Sequence, residues 1–285
     1  MKKVINNYHD SLDSFVSFAE NRKLDSSWKR EASRSKNDMD FYGNATFNQA
    51  IKLARYGWTE GRDLLANATA SAASAISNNM TPSFFMDVGG AYPIAALAAS
   101  GDPACMVNPT PYEQTAKPTV ALNVGAAFNC TYRTHQINNF GGALCAWIDK
   151  LEALGQSIEL TLSYYNGAND EKSAEPDSHN QVRIKRAGEP LNLDTIAFAL
   201  IHPAMNRRLQ FSHLESLPLG ESHYAYGRKK DVPQKRRDSS ALYLNGLEHG
   251  GNQRWNSPER AIESFKQDLE NASDESGLNL IFESE

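Results

Sequence analysis

Cysteine is scarce in this sequence. Three residues, Cys105, Cys130 and Cys145, are spread over 285 positions, odd in number and without C-x-x-C spacing. That excludes a disulfide scaffold and a zinc ribbon. Long apolar runs are missing too. The most apolar stretch, Tyr92 to Ala99, is far shorter than the roughly 20 residues a membrane-spanning helix needs. Lys2 and Lys3 open the chain, but Asn6, Asn7, His9 and Asp10 interrupt any signal-peptide core. There is no G-x-x-x-x-G-K-[ST] and no G-x-G-x-x-G, so no phosphate cradle of a known kind is written here. The seven histidines form no H-E-x-x-H or deaminase pattern. Cys130, His135 and Asp149 are the right types for nucleophilic catalysis, yet proximity in sequence says little about proximity in space. No catalytic residue, metal or other cofactor is therefore expected.

An excess of positive charge is also lacking, since 29 Lys and Arg stand against 34 Asp and Glu, a net charge of −5. The total hides an uneven distribution. Residues 1–36 carry +3, 37–180 carry −7, 181–260 carry +5 and 261–285 carry −6. Segmental charge is a better guide to partners than its sum.

Hydrophobic residues make up 40% of the chain, enough for a core, and the length suits one large domain or two modest ones. Leu12, Phe15, Val16 and Ala19 recur at helical spacing within Tyr8 to Leu24. Thr46 is placed to cap a helix through Ala50, Ile51 and Ala54, and another runs from Thr59 to Ile76. Thr119 to Phe128 reads as a strand, Ile137 to Leu154 as a helix stopped by Gly155, and Ser157 to Tyr165 as a second strand. Gln181 to Arg186 alternates, with Val182 and Ile184 on one face and Arg183 and Lys185 on the other. Asp194 to Leu217 is helical and broken near Pro203, and Ser257-Pro258 opens a last helix. Nothing periodic appears between Pro218 and Asn256. The expected organisation is a helical unit (1–80), an α/β core (81–217), a basic flexible arm (218–256) and a helix with an acidic tail (257–285), together one compact α/β domain.

The β-α-β unit that starts at Thr119 resembles the opening of a von Willebrand A-type domain. There the first strand ends in Asp-x-Ser-x-Ser, which holds a divalent metal; here the stretch reads Asn123-Val124-Gly125-Ala126-Ala127. A hard cation needs oxygen ligands, so the resemblance implies a mixed or parallel sheet of von Willebrand A-like layout with its metal site lost.

Basic residues interleaved with aromatics carry the functional expectation. Cations track the backbone of single-stranded nucleic acid while aromatic faces stack under its bases. The candidate binding residues are Trp28, Lys29, Arg30, Arg34 and Lys36; then Arg183, Lys185 and Arg186; then Tyr224, Tyr226, Arg228, Lys229, Lys230, Lys235, Arg236, Arg237, Arg254 and Trp255. In the acidic tail, Ile281 and Phe282 form an apolar hook for a partner protein. The phrases Phe41-Tyr42-Gly43, Gly57-Trp58-Thr59-Glu60-Gly61, Val182 to Pro190 and Ala197 to Pro203 resemble an uncharacterised bacteriophage protein family. They resemble most the early single-stranded-DNA-binding transcription cofactors of podoviruses. That resemblance implies sequence-independent binding of single-stranded DNA, recruitment of a phage RNA polymerase and residence in the host cytoplasm. The competing expectation is a non-enzymatic protein–protein adaptor with a metal-free von Willebrand A-like body.

Overall fold

The computed structural model describes residues 3–74, 76, 84–87, 92–93, 95–109, 118–128, 131–167, 176–219, 228–229, 231–247, 252–278 and 280–282. In chain order the elements are β1 (Val4–His9), α1 (Leu12–Asn21), α2 (Phe47–Tyr56), α3 (Thr59–Ala73), β2 (Phe84–Asp87), β3 (Tyr92–Pro93), α4 (Ala95–Ala99) and β4 (Met106–Pro109). There follow β5 (Thr119–Gly125), α5 (Thr134–Ala153), β6 (Ser157–Gly167), β7 (Asp177–Lys185), α6 (Leu193–Ile201), α7 (Phe211–Glu215), β8 (Arg228–Lys229), β9 (Ala241–Leu244) and α8 (Pro258–Ser276). A π-helix, Met205–Gln210, runs directly into α7.

Local chemistry sets many of these boundaries. Ser11 accepts from the Ser14 backbone amide and starts α1 at Leu12, four residues after Tyr8, where the periodicity alone would begin it. Thr46 and Gln49 close a reciprocal capping box on α2. Ser257 caps α8 with proline in its first turn, and Gly277 ends it in the left-handed region at φ 71°.

The main sheet has the order β1-β7-β6-β5-β9, with β8 continuing along β6 beyond the end of β5. β5 lies parallel to both β6 and β9, β7 turns back antiparallel to β6, and β1 is parallel to β7. β2, β4 and β3 form a separate three-stranded sheet. The expected β-α-β crossover is β5-α5-β6, and no cluster of three or more His, Cys, Asp or Glu exists among the described residues. The layout is the metal-free von Willebrand A-like one. At the β5–β9 junction, Gly125 and Gly246 touch backbone to backbone, so a Cβ on either would meet the other chain segment.

Two elements depart from expectation. The N-terminal unit is not purely helical, because β1 pairs along β7 and extends the sheet. The segment 218–256 is not wholly an arm, because β9 pairs with β5 and buries Leu242 and Leu244.

The two faces of the sheet differ in chemistry. Leu122, Val124, Leu160, Leu162, Val182, Leu242 and Leu244 point into a core shared with Phe140 and Ile148 of α5, Phe198 of α6 and Phe265 of α8. The alternate positions Asn123, Thr161, Ser163, Tyr165 and His179 are buried but polar. Four arginines, Arg22, Arg207, Arg208 and Arg254, tie loops to this framework.

Candidate functional site

Residues 25–45 contain only two short 3₁₀ turns, Ala32–Arg34 and Met39–Tyr42. The loop is nonetheless pinned from below by side chains of the π-helix and α7. Arg208, with no solvent exposure, donates to the carbonyls of Ala45 (2.9 Å), Ser33 (3.0 Å) and Ser35 (2.7 Å). Its guanidinium lies 3.4 Å from the centroid of Tyr42, whose hydroxyl donates to Ala32 O at 2.9 Å. Burial pulls the Arg208 pKa down and pushes the Tyr42 hydroxyl up. Arg207 donates to Phe41 O at 2.5 Å and sits 4.2 Å from the centre of its ring.

A second anchor is a buried ion cluster. Arg22 reaches Glu215 at 2.5 Å and Glu31 at 2.6 Å, and its Nε donates to Ser212 Oγ at 2.8 Å. Glu215 also accepts from the Ser33 amide at 2.8 Å and from the Ser33 hydroxyl. Three donors thus meet this carboxylate, which offsets the cost of burying it.

The outcome is an open cleft of about 510 Å³ lined by Arg30, Glu31, Ala32, Ser35, Asn37, Asp38, Phe41, Tyr42 and Phe211. Asp38 holds a left-handed backbone at φ 52° and Asn44 one at φ 56°, on either side of the second 3₁₀ turn. Phe41 keeps 37% of its surface in water, which is unusual for a ring already stacked on a guanidinium.

The first group of sequence candidates lies on this loop. Trp28 is not an open platform: its Nε1 donates to Leu217 O at 2.9 Å and its ring packs on Leu214, Leu217 and Leu219. Arg34 pairs with Glu31 at 3.2 Å and covers the Phe47 ring. Lys29, Arg30 and Lys36 are exposed.

The second group is largely consumed by the fold. Arg183 pairs with Glu159 at 3.2 Å and Arg186 with Asp10 at 3.5 Å. Lys185 does not point outward beside Arg183. An irregularity in register at Leu160/Thr161 turns it inward, where Nζ meets Glu152 at 2.5 Å and Ile158 O at 2.8 Å.

The third group divides. Tyr224, Tyr226 and Lys230 lie outside the described residues, and Arg228 and Lys229 form β8. Lys235 is exposed, and Arg236 lies near His179 and Tyr165; burial pushes the Tyr165 hydroxyl up to about 12, and the Arg236 charge only partly opposes that rise. Arg237 pairs with Glu275 at 2.8 Å, and Arg254 with Asp268 at 2.7 Å. Trp255 is fully buried between Phe140 and Phe265, so it is a core residue and cannot stack on a base. In the tail, Phe282 packs edge-on against Trp147, while Ile281 is 44% exposed.

Beneath the segment 231–237, the polar sheet face brings Ser163 Oγ and His179 Nε2 to 2.7 Å and Tyr165 OH to Asp177 at 3.2 Å. Burial drives the His179 pKa down to about 4, helped by Arg236. Cys130 is outside the described residues, and His135 and Asp149 stand fourteen positions apart on α5, about 21 Å along its axis at 1.5 Å per residue. They cannot form a catalytic set. The sequence marks none of Arg207, Arg208, Phe211 and Glu215 as a site residue, and it marks Phe41 only within a family phrase. The signal for them is the pair Arg207-Arg208 in a helical stretch that also carries Ala204, Met205, Leu209 and Leu214 at core spacing, where charge must be satisfied from a neighbouring loop.

The sheet order and the crossover give a von Willebrand A-like layout with a loop-built cleft at one side, and no cluster able to hold a metal stands among the described residues. The family model described as a domain of unknown function (DUF7192) matches residues 1–272, and the chain belongs to that family. No curated protein and no solved structure matches it. No described helix is long and apolar enough to cross a membrane.

Proposed function

We propose that this protein is a non-enzymatic protein–protein adaptor whose docking face is the cleft over residues 30–42. The observation that carries the reading is the pinned loop. Four side chains, Arg22, Arg207, Arg208 and Glu215, hold an otherwise irregular segment in one shape around an exposed ring, Phe41. Loops held by a rigid scaffold are where recognition residues concentrate, and a preformed shape lowers the ordering cost of binding. A photo-crosslinking amino acid at Lys36 should capture a defined protein in the producing cell, whereas one at Lys266 on α8 should not. Equal capture at both positions, or none at Lys36, would sink the adaptor reading.

A second reading keeps single-stranded DNA as the ligand, with recruitment of a phage RNA polymerase in the host cytoplasm as its biological setting. Exposed Arg30 and Lys36 stand on the same loop as the exposed ring of Phe41, and that combination favours it. A gel shift with single-stranded, double-stranded and RNA oligonucleotides at two salt concentrations tests it. Each neutralised phosphate contributes about −0.7 to the log–log salt slope on single strands, so a flat or absent shift removes this reading.

A further inference from the structure

We infer that the occupant of the cleft is an acidic peptide segment carrying one aromatic anchor, an inference that rests on the adaptor reading above. Charge is the first argument. The lining carries Arg30 against Glu31 and Asp38; Arg34 and Lys36 stand on the same loop, and Arg22, Arg207, Arg208 and Glu215 lie beneath it, a local net of +3 in a chain whose total is −5. Arg208 matters most here. All its described hydrogen bonds end on carbonyl oxygens or on the Met39 sulfur, so no carboxylate cancels its charge. A buried cation in low dielectric projects its field into the space above it more strongly than an exposed one. Glu31, by contrast, is already spent on Arg22 and Arg34.

Shape and polarity give the second argument. Phe41 and Phe211, with ring centroids 6.4 Å apart, border the cleft, and both retain exposure. Two such rings offer an apolar seat for a third, the kind of central anchor that dominates peptide and protein interfaces. Around that seat Ser35, Asn37 and Asp38 present oxygens suited to backbone amides of an extended chain. Asp38 speaks against a nucleic acid: a phosphate backbone carries a charge at every nucleotide and would meet it in the cleft, whereas a peptide spaces its carboxylates and can place them opposite Arg30 and Lys36.

Fluorescence anisotropy with the full chain and four labelled probes tests this. The probes are an extended peptide with one Trp among Asp and Glu, the same peptide with Trp replaced by Ser, the same with Lys replacing its acids, and a 20-residue thymidine oligonucleotide. The acidic Trp peptide should bind tightest and weaken with salt. Arg30→Glu and Phe41→Ala should each weaken it by about tenfold or more, and Lys266→Glu should not. Arg30 is exposed, so its variant reports binding even if Phe41→Ala loosens the loop, and thermal melts of both check the fold. Equal binding of acidic and basic peptides, no loss on removing Trp, or tighter binding of the oligonucleotide overturns the inference. If crosslinking at Lys36 still captures a protein while the acidic peptide fails, the assigned chemistry falls and the adaptor reading survives. If crosslinking captures nothing, the adaptor reading falls with it.

Discussion

At the scale of single residues, the costliest commitment is the burial of Arg22 and Glu215, whose side chains keep 2% and 0% of their surface. Such a pair gains little over an apolar replacement, but removing one partner leaves an uncompensated charge in the interior. Glu215→Gln is therefore expected to cost about 3 kcal/mol of unfolding free energy, read as a lowered urea midpoint. It should also loosen the cleft, because one of the two oxygens that accept from Ser33 becomes an NH2 donor. An unchanged midpoint would show that the loop is held without the Glu215 carboxylate. Histidines set a second residue-scale property. Burial lowers the pKa of His179 and His202 to about 4 and of His213 to about 3. The unfolded chain would protonate each near 6.5, so below that pH it binds protons the folded state refuses. Stability should be flat between about pH 7 and 8 and fall as pH drops from 6.5 toward 4, each histidine contributing about 2 kcal/mol of loss by pH 5. His213→Leu should make the decline between pH 7 and 5 shallower, measured as urea midpoints at the two pH values. A decline of undiminished slope would remove His213 from the account.

At the scale of elements, close helix packing is the feature most open to test. A Cβ added at Gly142 of α5 would lie 2.6 Å from the Ala68 carbonyl carbon of α3 and 2.7 Å from its Cβ. Alanine is the better helix former by up to about 1 kcal/mol, yet here it meets backbone that cannot yield. Gly142→Ala should lower stability by about 1–3 kcal/mol through overpacking, seen as a reduced melting temperature; a gain would mean that α3 is free to shift. The elements also show what could be read in advance. β5, α5 and β6 were legible because strand alternation, helical periodicity and the Gly155 stop agree along one stretch. β1 was not, since Asn6 and Asn7 break its hydrophobic pattern and its stability comes from pairing with β7. β9 was hidden because four residues, Ala241 to Leu244, are too few for a period to declare itself. Trp255 looked like a surface aromatic beside Arg254; only the arrival of Phe140 and Phe265 from distant segments makes it core. The cleft was half legible. Its basic rim is continuous in sequence, while its floor comes from residues some 170 positions later.

At the scale of the whole molecule, the four charge segments do not act as four bodies. Arg237 of the basic segment pairs with Glu275 of the acidic one, and Arg254 with Asp268, so part of the opposing charge cancels within the fold. The half-exposed Arg237–Glu275 pair contributes at most about 1 kcal/mol, and most of what binds the last segment to the rest is apolar. Phe265 and Leu269 of α8 share one core with Leu12 of α1, Leu65 of α3 and Leu242 of β9, and Trp147 Nε1 donates to Ile262 O at 3.0 Å. Two truncations separate these contributions. A chain ending at Gly277 loses Phe282, which is half-buried against Trp147, and should be weaker by about 1–2 kcal/mol while keeping a single cooperative melt. A chain ending at Asn256 loses Ile262, Phe265 and Leu269 together. Each buries about 1.5–3 kcal/mol of apolar stabilisation, and the sum rivals the 5–15 kcal/mol that typically holds a whole domain. That shorter chain should lack a cooperative transition and lose near-ultraviolet circular dichroism. If it instead melts cooperatively, α8 is an appendage on an independently folded body, and the continuity of the core from α1 to α8 does not reflect one folding unit.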